Sequence, residues 1–184
     1  MSELDTARLK LRHWSSADLA PFGAMNADPA VMEFMPGRLS RQASDAAAAA
    51  AQAHIDRKGF GLWAVQVRGG PPFVGYVGLQ VPSFEAPFTP CVEIGWRLAR
   101  AAWGYGYATE AARACLEHAF GVLGLAEVLA FTVPANVRSR AVMQRLGMTL
   151  DPAAAFEHPR LPAGHALRHH LLYRLGRHAW GAQR

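Results

Sequence analysis

A glycine-rich turn near the middle of the chain has the residue types and spacing that could bind a phosphate group. The predicted strand Val92–Leu98 is followed by Trp103-Gly104-Tyr105-Gly106-Tyr107-Ala108-Thr109, and a helix is predicted over Ala108–Leu123. The free N–H groups in the first turn of a helix, together with its dipole, attract anions. Glycine lets the backbone reach positive φ and approach a phosphate closely. Gly104 and Gly106 therefore predict a pyrophosphate site.

Two other interpretations of this turn stay open at the level of sequence. A Gly-x-Gly turn also opens the dinucleotide motif of Rossmann folds, which continues as Gly-x-x-Gly early in its domain and needs an acidic residue ending the next strand. Here the motif lies past mid-chain, Thr109 replaces the third glycine, and the next strand ends in Thr132-Val133-Pro134. The Rossmann motif thus fits poorly, and a plain structural turn is the other alternative.

A second helix start follows the next predicted strand, Val128–Val133. Asn136-Val137-Arg138-Ser139-Arg140 opens a helix predicted over Asn136–Leu146. Asn136 could serve only as the N-cap, with Ser139 as the polar residue at the third helical position. Alternatively, both helix starts lie at the C-terminal ends of neighbouring strands, where ligands bind in open sheets.

Taken together, the motifs resemble the GNAT N-acetyltransferase superfamily, and within it the RimJ/RimL-type branch that acetylates protein N-termini. The resemblance implies the GNAT fold, an α/β (mixed α+β) domain with a central mixed, mostly antiparallel sheet flanked by helices. Four stretches carry the resemblance and span nearly the whole chain: Thr6–Arg12 with Asp28–Met32, Gly75–Leu79, Val92–Trp96 through Trp103–Ala111, and Asn136–Ser139 to Leu146–Met148.

The resemblance implies that acetyl-CoA is the co-substrate and assigns parts of it to these stretches. The backbone N–H groups from Tyr105 to Thr109 hold the CoA pyrophosphate. The main chain of residues 96–98 pairs with the pantetheine arm like an added strand. Asn136 hydrogen-bonds the same arm, and Ser139 lies near the thioester sulfur as a candidate donor to the leaving thiolate.

Two arginines and one tryptophan complete the implied site. Arg138 and Arg140 could meet CoA phosphates. Trp103 departs from the superfamily pattern, which prefers Gln or Arg three residues before Gly106, although the RimJ/RimL-type branch tolerates aromatic residues there. The whole implied CoA-binding set is Trp96, Arg97, Leu98, Trp103, Gly104, Tyr105, Gly106, Tyr107, Ala108, Thr109, Asn136, Arg138, Ser139 and Arg140.

Acyl transfer to an amine requires the neutral amine. The pKa of an α-amino group is about 7.7–8.0 and that of lysine about 10.4, so a peptide N-terminus is easier to deprotonate. Glu93, in the predicted strand beside the donor site, could accept this proton directly or through water. Its alternatives are a solvent-facing residue or an arginine partner. Backbone N–H groups of the central strand would meet the oxyanion. Direct attack is expected, since neither Cys91 nor Cys115 has a predicted activating histidine.

Composition narrows the class of protein. The 184 residues predict a single domain over positions 1–184, and 51% apolar with 18% charged residues indicates a globular chain. The net charge of +5 suits a phosphate-bearing ligand, whereas the scattered arginines argue against a nucleic-acid partner. No window is long and apolar enough for a membrane span. Cys91 and Cys115 lie in apolar runs typical of reduced core residues in a cytoplasmic protein.

The pattern of apolar residues and breakers predicts the element order βααα-βββ-α-β-α-β. A short helix is predicted from Asp28 through Phe34, and a long one over Ser40–Lys58 around six consecutive alanines. Residues 151–165 are predicted to form a long loop, because they contain three prolines and a glycine. A final strand is predicted over Leu167–Leu175.

The acceptor amine cannot be identified from the sequence, because this superfamily sets it by variable loops, here residues 34–40, 82–90 and 151–166. Rival functions are acetylation of a small molecule such as an antibiotic, polyamine or amino acid, a CoA-binding module without catalysis, and a nucleotide-binding regulatory domain. Succinyl or longer acyl donors stay open, and homodimers are common among the proteins it resembles. No metal is expected, since the C-terminal histidines match no standard site. Candidate acceptor-site residues are Phe34, Met35, Trp63, His169 and His170.

Overall fold

The computed structural model describes residues 3–182, which form eight strands and five α-helices. The strands are β1 Leu4–Asp5, β2 Leu9–Arg12, β3 Leu62–Val67, β4 Gly75–Gln80, β5 Glu93–Leu98, β6 Glu127–Thr132, β7 Thr149–Glu157 and β8 His169–Gly176. The helices are α1 Leu19–Ala27, α2 Arg41–Lys58, α3 Tyr107–Glu117, α4 Val137–Arg145 and α5 Arg177–Gly181.

The described strands follow the order β1-β2-β3-β4-β5-β6-β8-β7 in one sheet. Pairing is antiparallel from β1 to β4 and among β6, β8 and β7, and parallel between β5 and β6. This confirms the predicted mixed, mostly antiparallel sheet. Within residues 3–182, no helix has both the length and the apolar character needed to cross a membrane.

The chain forms two compact units, and β5 begins in one and ends in the other. The first unit holds the chain up to Gln80 together with Gly95–Cys115. The second holds Val81–Ile94 and the chain from Leu116 onward. A single domain over residues 1–184 stays a prediction.

In the first unit, apolar side chains on alternate positions of β2, β3 and β4 build the core. Leu11 pairs in register with Val65, and Trp63 with Val77, and all four are fully buried. Helix α2 has the predicted bounds for local reasons. Ser40 Oγ accepts from Ala43 N at 3.2 Å at its start, and Gly59 ends it with φ 76°.

In the second unit, β6 pairs with β8 and β8 with β7, so β8 is central among these three strands. Ala130 of β6 and Tyr173 of β8 lie in register, and both are buried. Beyond Glu117, the chain of α3 continues as a π-helical turn, His118–Val122, within the predicted span of that helix.

The predicted helix from Asp28 through Phe34 is wrong, because these residues form turns. Asp28 Oδ1 accepts from Ala30 N at 2.8 Å, and this side-chain bond competes with helical pairing. The backbone bonds from Met32 N to Asp28 O and from Met35 N to Met32 O close single turns without continuing.

The predicted loop over residues 151–165 is also wrong in its first half, which belongs to β7. Leu150 pairs with Tyr173, and Phe156 with His170. Pro152 is compatible with β7 because this is the last strand of the sheet, where one edge needs no partner. Pro152 moreover lies in the register shift between Asp151 and Phe156, so its missing N–H costs little there.

Candidate functional site

The glycine-rich turn lies at the start of α3, in the first unit. Gly104 and Gly106 have φ of 84° and 79°, a left-handed conformation that L side chains rarely adopt. The first helical hydrogen bond of α3 runs from Glu110 N to Gly106 O at 3.1 Å, so the N–H groups of residues 107–109 precede the helical ladder. Both glycines are exposed, and Tyr105 is 60% exposed. The backbone of this turn therefore fits a pyrophosphate.

Arg8 fixes this turn, and no pattern in the sequence indicates that it belongs to the pyrophosphate site. Its Nη1 donates to Tyr105 O at 3.0 Å, and its guanidinium carbon lies 5.0 Å from the Tyr107 ring centre. Its Nε donates to Glu110 Oε2 at 2.6 Å, while Thr6 Oγ1 donates to Glu110 Oε1 at 2.6 Å. The Arg8 side chain is 50% exposed, and its Nη2 lies 2.6 Å from Glu110 Oε2, so the Glu110 carboxylate offsets the Arg8 charge beside the turn.

Replacing Glu110 with glutamine should lower the free energy of unfolding by about 1 kcal/mol at neutral pH. Burial opposes ionisation of Glu110, but hydrogen bonds from Thr6 and Arg8 and the Arg8 charge outweigh it, so the pKa of Glu110 is lowered. A lowered pKa adds stability above the unfolded-state value of about 4.3, and this stability is lost as the pH falls through the folded-state pKa.

Urea unfolding of E110Q and the wild type between pH 7 and pH 3 measures this contribution. The two proteins should converge in stability toward the acid end. Glu117→Gln, exposed at the end of the same helix, is the control and should stay close to the wild type throughout. A stability difference for E110Q that does not change with pH would contradict the assignment.

The end of β5 presents backbone groups to two different edges. A Cβ built on Gly75 would lie 2.2 Å from Arg97 O, so the Arg97 carbonyl faces β4. The backbone groups of Trp96 and Leu98 consequently point to the opposite edge. Trp103 Nε1 donates to Leu98 O at 2.8 Å. Of the three residues predicted to bind pantetheine through the main chain, Trp96 and Leu98 present their backbone groups at one edge of β5, whereas Arg97 presents its carbonyl to β4. Trp103 also reaches the edge of Trp96 and Leu98.

Asn136, in the second unit, is the N-cap of α4. Its Oδ1 accepts from Ser139 N at 3.2 Å, and its Nδ2 donates to Thr132 Oγ1 at 3.1 Å. The capping role that the sequence left open is therefore present. The same bonds orient the amide between the end of β6 and the first turn of α4.

Of the three arginines of α4, the two at its start, Arg138 and Arg140, were predicted to meet CoA phosphates. Arg138 is exposed at the first turn of the helix. Arg140 is tied to the protein, since its Nε donates to Tyr173 Oη at 3.2 Å and its Nη1 to Pro134 O at 3.0 Å. Arg140 therefore already has a structural function at this helix start.

Glu93 begins β5 and is buried, with 8% of its surface exposed, so the solvent-facing alternative for this residue is wrong. It lies in register with Leu129 of β6. Burial and, secondly, the negative charge of Glu93 raise the pKa of Cys91 to about 11. Burial alone raises the pKa of Cys115. Both thiols are therefore protonated at neutral pH, which makes them poor nucleophiles.

Six aromatic rings form a cluster in the second unit that joins the segments 82–90 and 151–166, two of the predicted acceptor loops. His158 and His170 lie 5.1 Å apart between ring centres, whereas His169 is exposed beside Glu157. Arg160 Nη2 donates to Ser83 O at 3.1 Å and adds a polar tie between the same segments. The rings are those of Phe84, Phe88, Phe131, Phe156, His158 and His170.

Burial lowers the pKa of both clustered histidines. The charges of His170 and Arg160 lower the pKa of His158 further. For His170, burial outweighs the bond between its Nδ1 and Arg168 O, at 3.1 Å, and the Glu157 charge, which both act to raise the pKa, while the His169 charge acts to lower it. A histidine whose pKa is lowered on folding destabilises the fold as the pH drops below the unfolded-state value of about 6.5. Among residues 3–182, no group of three or more histidine, cysteine or acidic side chains could hold a metal ion.

The double variant His158→Phe with His170→Phe should accordingly lose less stability between pH 7.5 and pH 5.5 than the wild type does, since about 6.5 is the unfolded-state pKa. Phenylalanine preserves an aromatic ring at both positions but cannot bind a proton. Thermal unfolding across this pH range measures the effect. His165→Phe, outside the cluster, is the control and should keep the wild-type slope, and equal slopes for all three proteins would contradict the assignment.

Comparison with known proteins decides the family. The model of the GNAT acetyltransferase domain matches residues 8–149 of the chain. The chain belongs to the GNAT acetyltransferase family. GNAT enzymes use acetyl-CoA as acyl donor, so the chain is an acetyl-CoA-dependent N-acetyltransferase with the GNAT fold, and both predictions are confirmed.

Relatives of this GNAT enzyme differ in how much of the chain they match. The Bacillus subtilis protein YkkB is 32% identical over 148 residues, which are 80% of this chain and 85% of YkkB. FsC-acetyl coenzyme A-N(2)-transacetylase of Aspergillus fumigatus is 44% identical over 95 residues, but these are 50% of this chain and 40% of that protein.

Solved structures agree with the fold over nearly the full length. An acetyltransferase from Agrobacterium tumefaciens is 28% identical with a TM-score of 0.76, covering 95% of this chain and 94% of its own. Mycobacterium smegmatis RimJ, solved in complex with CoA-disulfide, is 22% identical with a TM-score of 0.73, covering 99% and 93%. At this identity, RimJ shows the shared fold alone.

Proposed function

We propose that this GNAT enzyme transfers the acetyl group of acetyl-CoA to the α-amine of a peptide N-terminus. The observation that supports acetyl-CoA binding is the glycine turn of Gly104 and Gly106 at the start of α3. This turn is open to solvent and is held by Arg8. Its left-handed backbone and the helical N–H groups after it suit the CoA pyrophosphate. Arg8, which the sequence alone did not connect with the site, supports this proposal by fixing the conformation of the turn through Tyr105 O.

The proposal assigns the rest of the donor to backbone groups and short polar side chains. Trp96 and Leu98 offer the strand edge to which the pantetheine arm adds like a further strand. Asn136 has an amide fixed by its capping bonds, and Ser139 carries a hydroxyl at the same helix start. In this assignment the Ser139 hydroxyl donates a hydrogen bond that stabilises the CoA thiolate as the carbon–sulfur bond breaks.

The chemistry is a direct transfer in a ternary complex. The neutral amine attacks the thioester carbon, its proton passes to Glu93 directly or through a water, and backbone N–H groups stabilise the oxyanion. The tetrahedral intermediate then expels the thiolate and leaves an amide. An acyl-cysteine route is disfavoured, because the raised pKa of Cys91 and of Cys115 keeps both thiols protonated.

Two considerations support an N-terminal amine as acceptor. An α-amine is largely neutral near a pH of about 8, so it needs little help from a base, whereas a lysine amine needs much more. The chain also shares the fold of Mycobacterium smegmatis RimJ, at 22% identity. A small-molecule acceptor is the second candidate, favoured by the 44% identity to the FsC transacetylase over half of this chain. A cytoplasmic location and a homodimer stay predictions.

An acceptor screen tests this proposal. Purified enzyme with acetyl-CoA is offered peptides with a free N-terminus, the same peptides with a blocked N-terminus and an internal lysine, a polyamine, and free amino acids. Mass spectrometry locates the acetyl group while thiol release measures the rate. We expect acetylation of free N-termini and little of the internal lysines. Transfer only to the small amines would replace the peptide acceptor with the second candidate.

A further inference from the structure

Arg97 carries a guanidinium that is half-buried among neutral groups of the first unit. Its Nη1 donates to Asn26 Oδ1 at 2.8 Å, and its Nη2 lies 2.8 Å from Met35 Sδ. Its guanidinium carbon lies 5.5 Å from the centre of the Tyr76 ring. Within residues 3–182, no acidic side chain forms an ion pair with Arg97, whereas acidic partners are present for Arg8, Arg12, Arg41, Arg68, Arg168 and Arg174.

The orientation of this guanidinium is set by buried neighbours. Asn26 is fully buried on α1, and its Nδ2 donates to Ser44 Oγ on α2 at 2.8 Å. That bond turns the amide so that its oxygen faces Arg97. Two helices therefore position the cation without neutralising it. Withdrawing a cation from water without an anionic partner costs free energy, which the contact with the Tyr76 ring face offsets only in part.

The Arg97 guanidinium has more N–H groups than it uses in hydrogen bonds to residues 3–182. Of its five N–H groups, one donates to Asn26 and one faces Met35. The remaining three, which include Nε–H, make no hydrogen bond to residues 3–182. Adjacent N–H groups of a guanidinium form a fork that binds a carboxylate through two parallel hydrogen bonds.

The place of Arg97 in the chain connects it to the reaction. It stands between Trp96 and Leu98, whose backbone edge is proposed to hold pantetheine, and a strand side chain leaves the strand roughly perpendicular to that edge. Its tip reaches Met35, in the segment 34–40 that was predicted to help set the acceptor. The Arg97 guanidinium is therefore separated only by its own side chain from the backbone edge proposed to bind pantetheine, and it contacts a predicted acceptor loop.

We propose that Arg97 binds a carboxylate of the acceptor, so that the preferred acceptors are amino acids or peptides carrying an acidic group close to the reacting amine. This inference rests on the proposed function and narrows its substrate class. A phosphate of CoA is the other anion that the same fork could bind, and the experiment separates the two.

Binding is measured first, because it does not depend on turnover. The Nε–H resonance of Arg97, assigned by its loss in Arg97→Lys, is followed by NMR during titration. The probes are alanine against alaninamide, Ala-Ala against its amide, and Ala-Asp-Ala-amide against Ala-Asn-Ala-amide, each with CoA already bound. We expect the resonance to shift with at least one carboxylate and not with its uncharged counterpart.

Kinetics then test whether the contact selects substrates. The wild type should favour the carboxylate member of the responding pair by about tenfold or more in kcat/KM. Arg97→Gln should abolish this preference, and Arg97→Lys should restore part of it, because lysine keeps the charge but not the fork. Arg41→Gln, which removes an exposed arginine paired with Asp45, is the matched control and should keep the preference.

The outcomes separate this inference from the proposed function. If acetyl-CoA binds and amines are acetylated but no carboxylate shifts the resonance, the inference is wrong and the function stands. A shift on addition of CoA alone, with no further change on adding carboxylates, also overturns it in favour of a phosphate contact. A carboxylate-dependent shift without transfer to any amine supports the anion site and contradicts the proposed function.

Discussion

Gly106→Val should weaken acetyl-CoA binding by about 100-fold, with a comparatively small loss of stability. The backbone of Gly106 has φ 79°, and a β-branched residue is strongly disfavoured there, so the turn must change its conformation. A new conformation moves the N–H groups that begin α3, which are proposed to hold the pyrophosphate. Space is not the obstacle, since a Cβ at this position would meet only Arg8 Nη2, at 3.6 Å. Isothermal titration with acetyl-CoA measures the affinity.

Gly59→Val is a matched control for this variant. Gly59 lies at the end of α2 with φ 76°, and a Cβ added to it would have no other atom within 4 Å. The same backbone strain should therefore cost similar stability there without changing the affinity for acetyl-CoA. If G106V keeps wild-type affinity, or if both variants lose affinity equally, the assignment of the turn is contradicted.

Glu93→Gln should lower kcat by about 10²-fold or more while leaving the dissociation constant of acetyl-CoA unchanged. Glutamine has nearly the same shape but cannot accept the proton of the amine, and general bases typically contribute about 10²–10⁴-fold. Raising the pH through about 8 should recover part of the loss, because the α-amine then loses its proton to solvent. A pH profile of kcat/KM with a peptide acceptor measures both effects.

Glu127→Gln controls for loss of an acidic residue in the same unit. Glu127 begins β6 and pairs with Arg174 at the surface, at 2.8 Å, so its removal should leave the rate close to that of the wild type. A fully active E93Q enzyme would assign Glu93 a structural function and leave deprotonation to water.

The parts of the site that the sequence predicts are those that depend on neighbours along the chain. A helix cap needs only a side chain and an amide three residues away, and Asn136 caps its helix as the pattern indicates. The left-handed turn of Gly104 and Gly106 is likewise local, because the type of residue dictates the allowed φ.

The parts that the sequence does not predict depend on contacts between distant residues. Arg8 and Glu110 are 102 positions apart, and Arg97 and Asn26 are 71 apart. The acidic residue in the first turn of α3 is a weak signal for the first pair, since such residues favour helix starts generally. No sequence pattern reveals that Arg97 lacks an acidic partner among residues 3–182, because any of the 14 acidic residues could have supplied one.

Strand β7 illustrates the same limit. Pro152 argues for a loop when only the sequence is considered, and its place in a register shift of the edge strand makes it compatible with a strand. The aromatic cluster depends on this pairing, because β7 brings Phe156 into register with His170.

Thermal unfolding of the wild type with and without acetyl-CoA, with ATP and NAD as competing phosphate ligands, tests the central claim most directly. A ligand at about 100 times its dissociation constant stabilises the fold by roughly 2.7 kcal/mol, which raises the midpoint of a domain of this size by several degrees. We expect this rise with acetyl-CoA and with CoA, and none with ATP or NAD at equal concentration. No rise with acetyl-CoA, or an equal rise with all the nucleotides, would contradict the assignment of the glycine turn as its binding site.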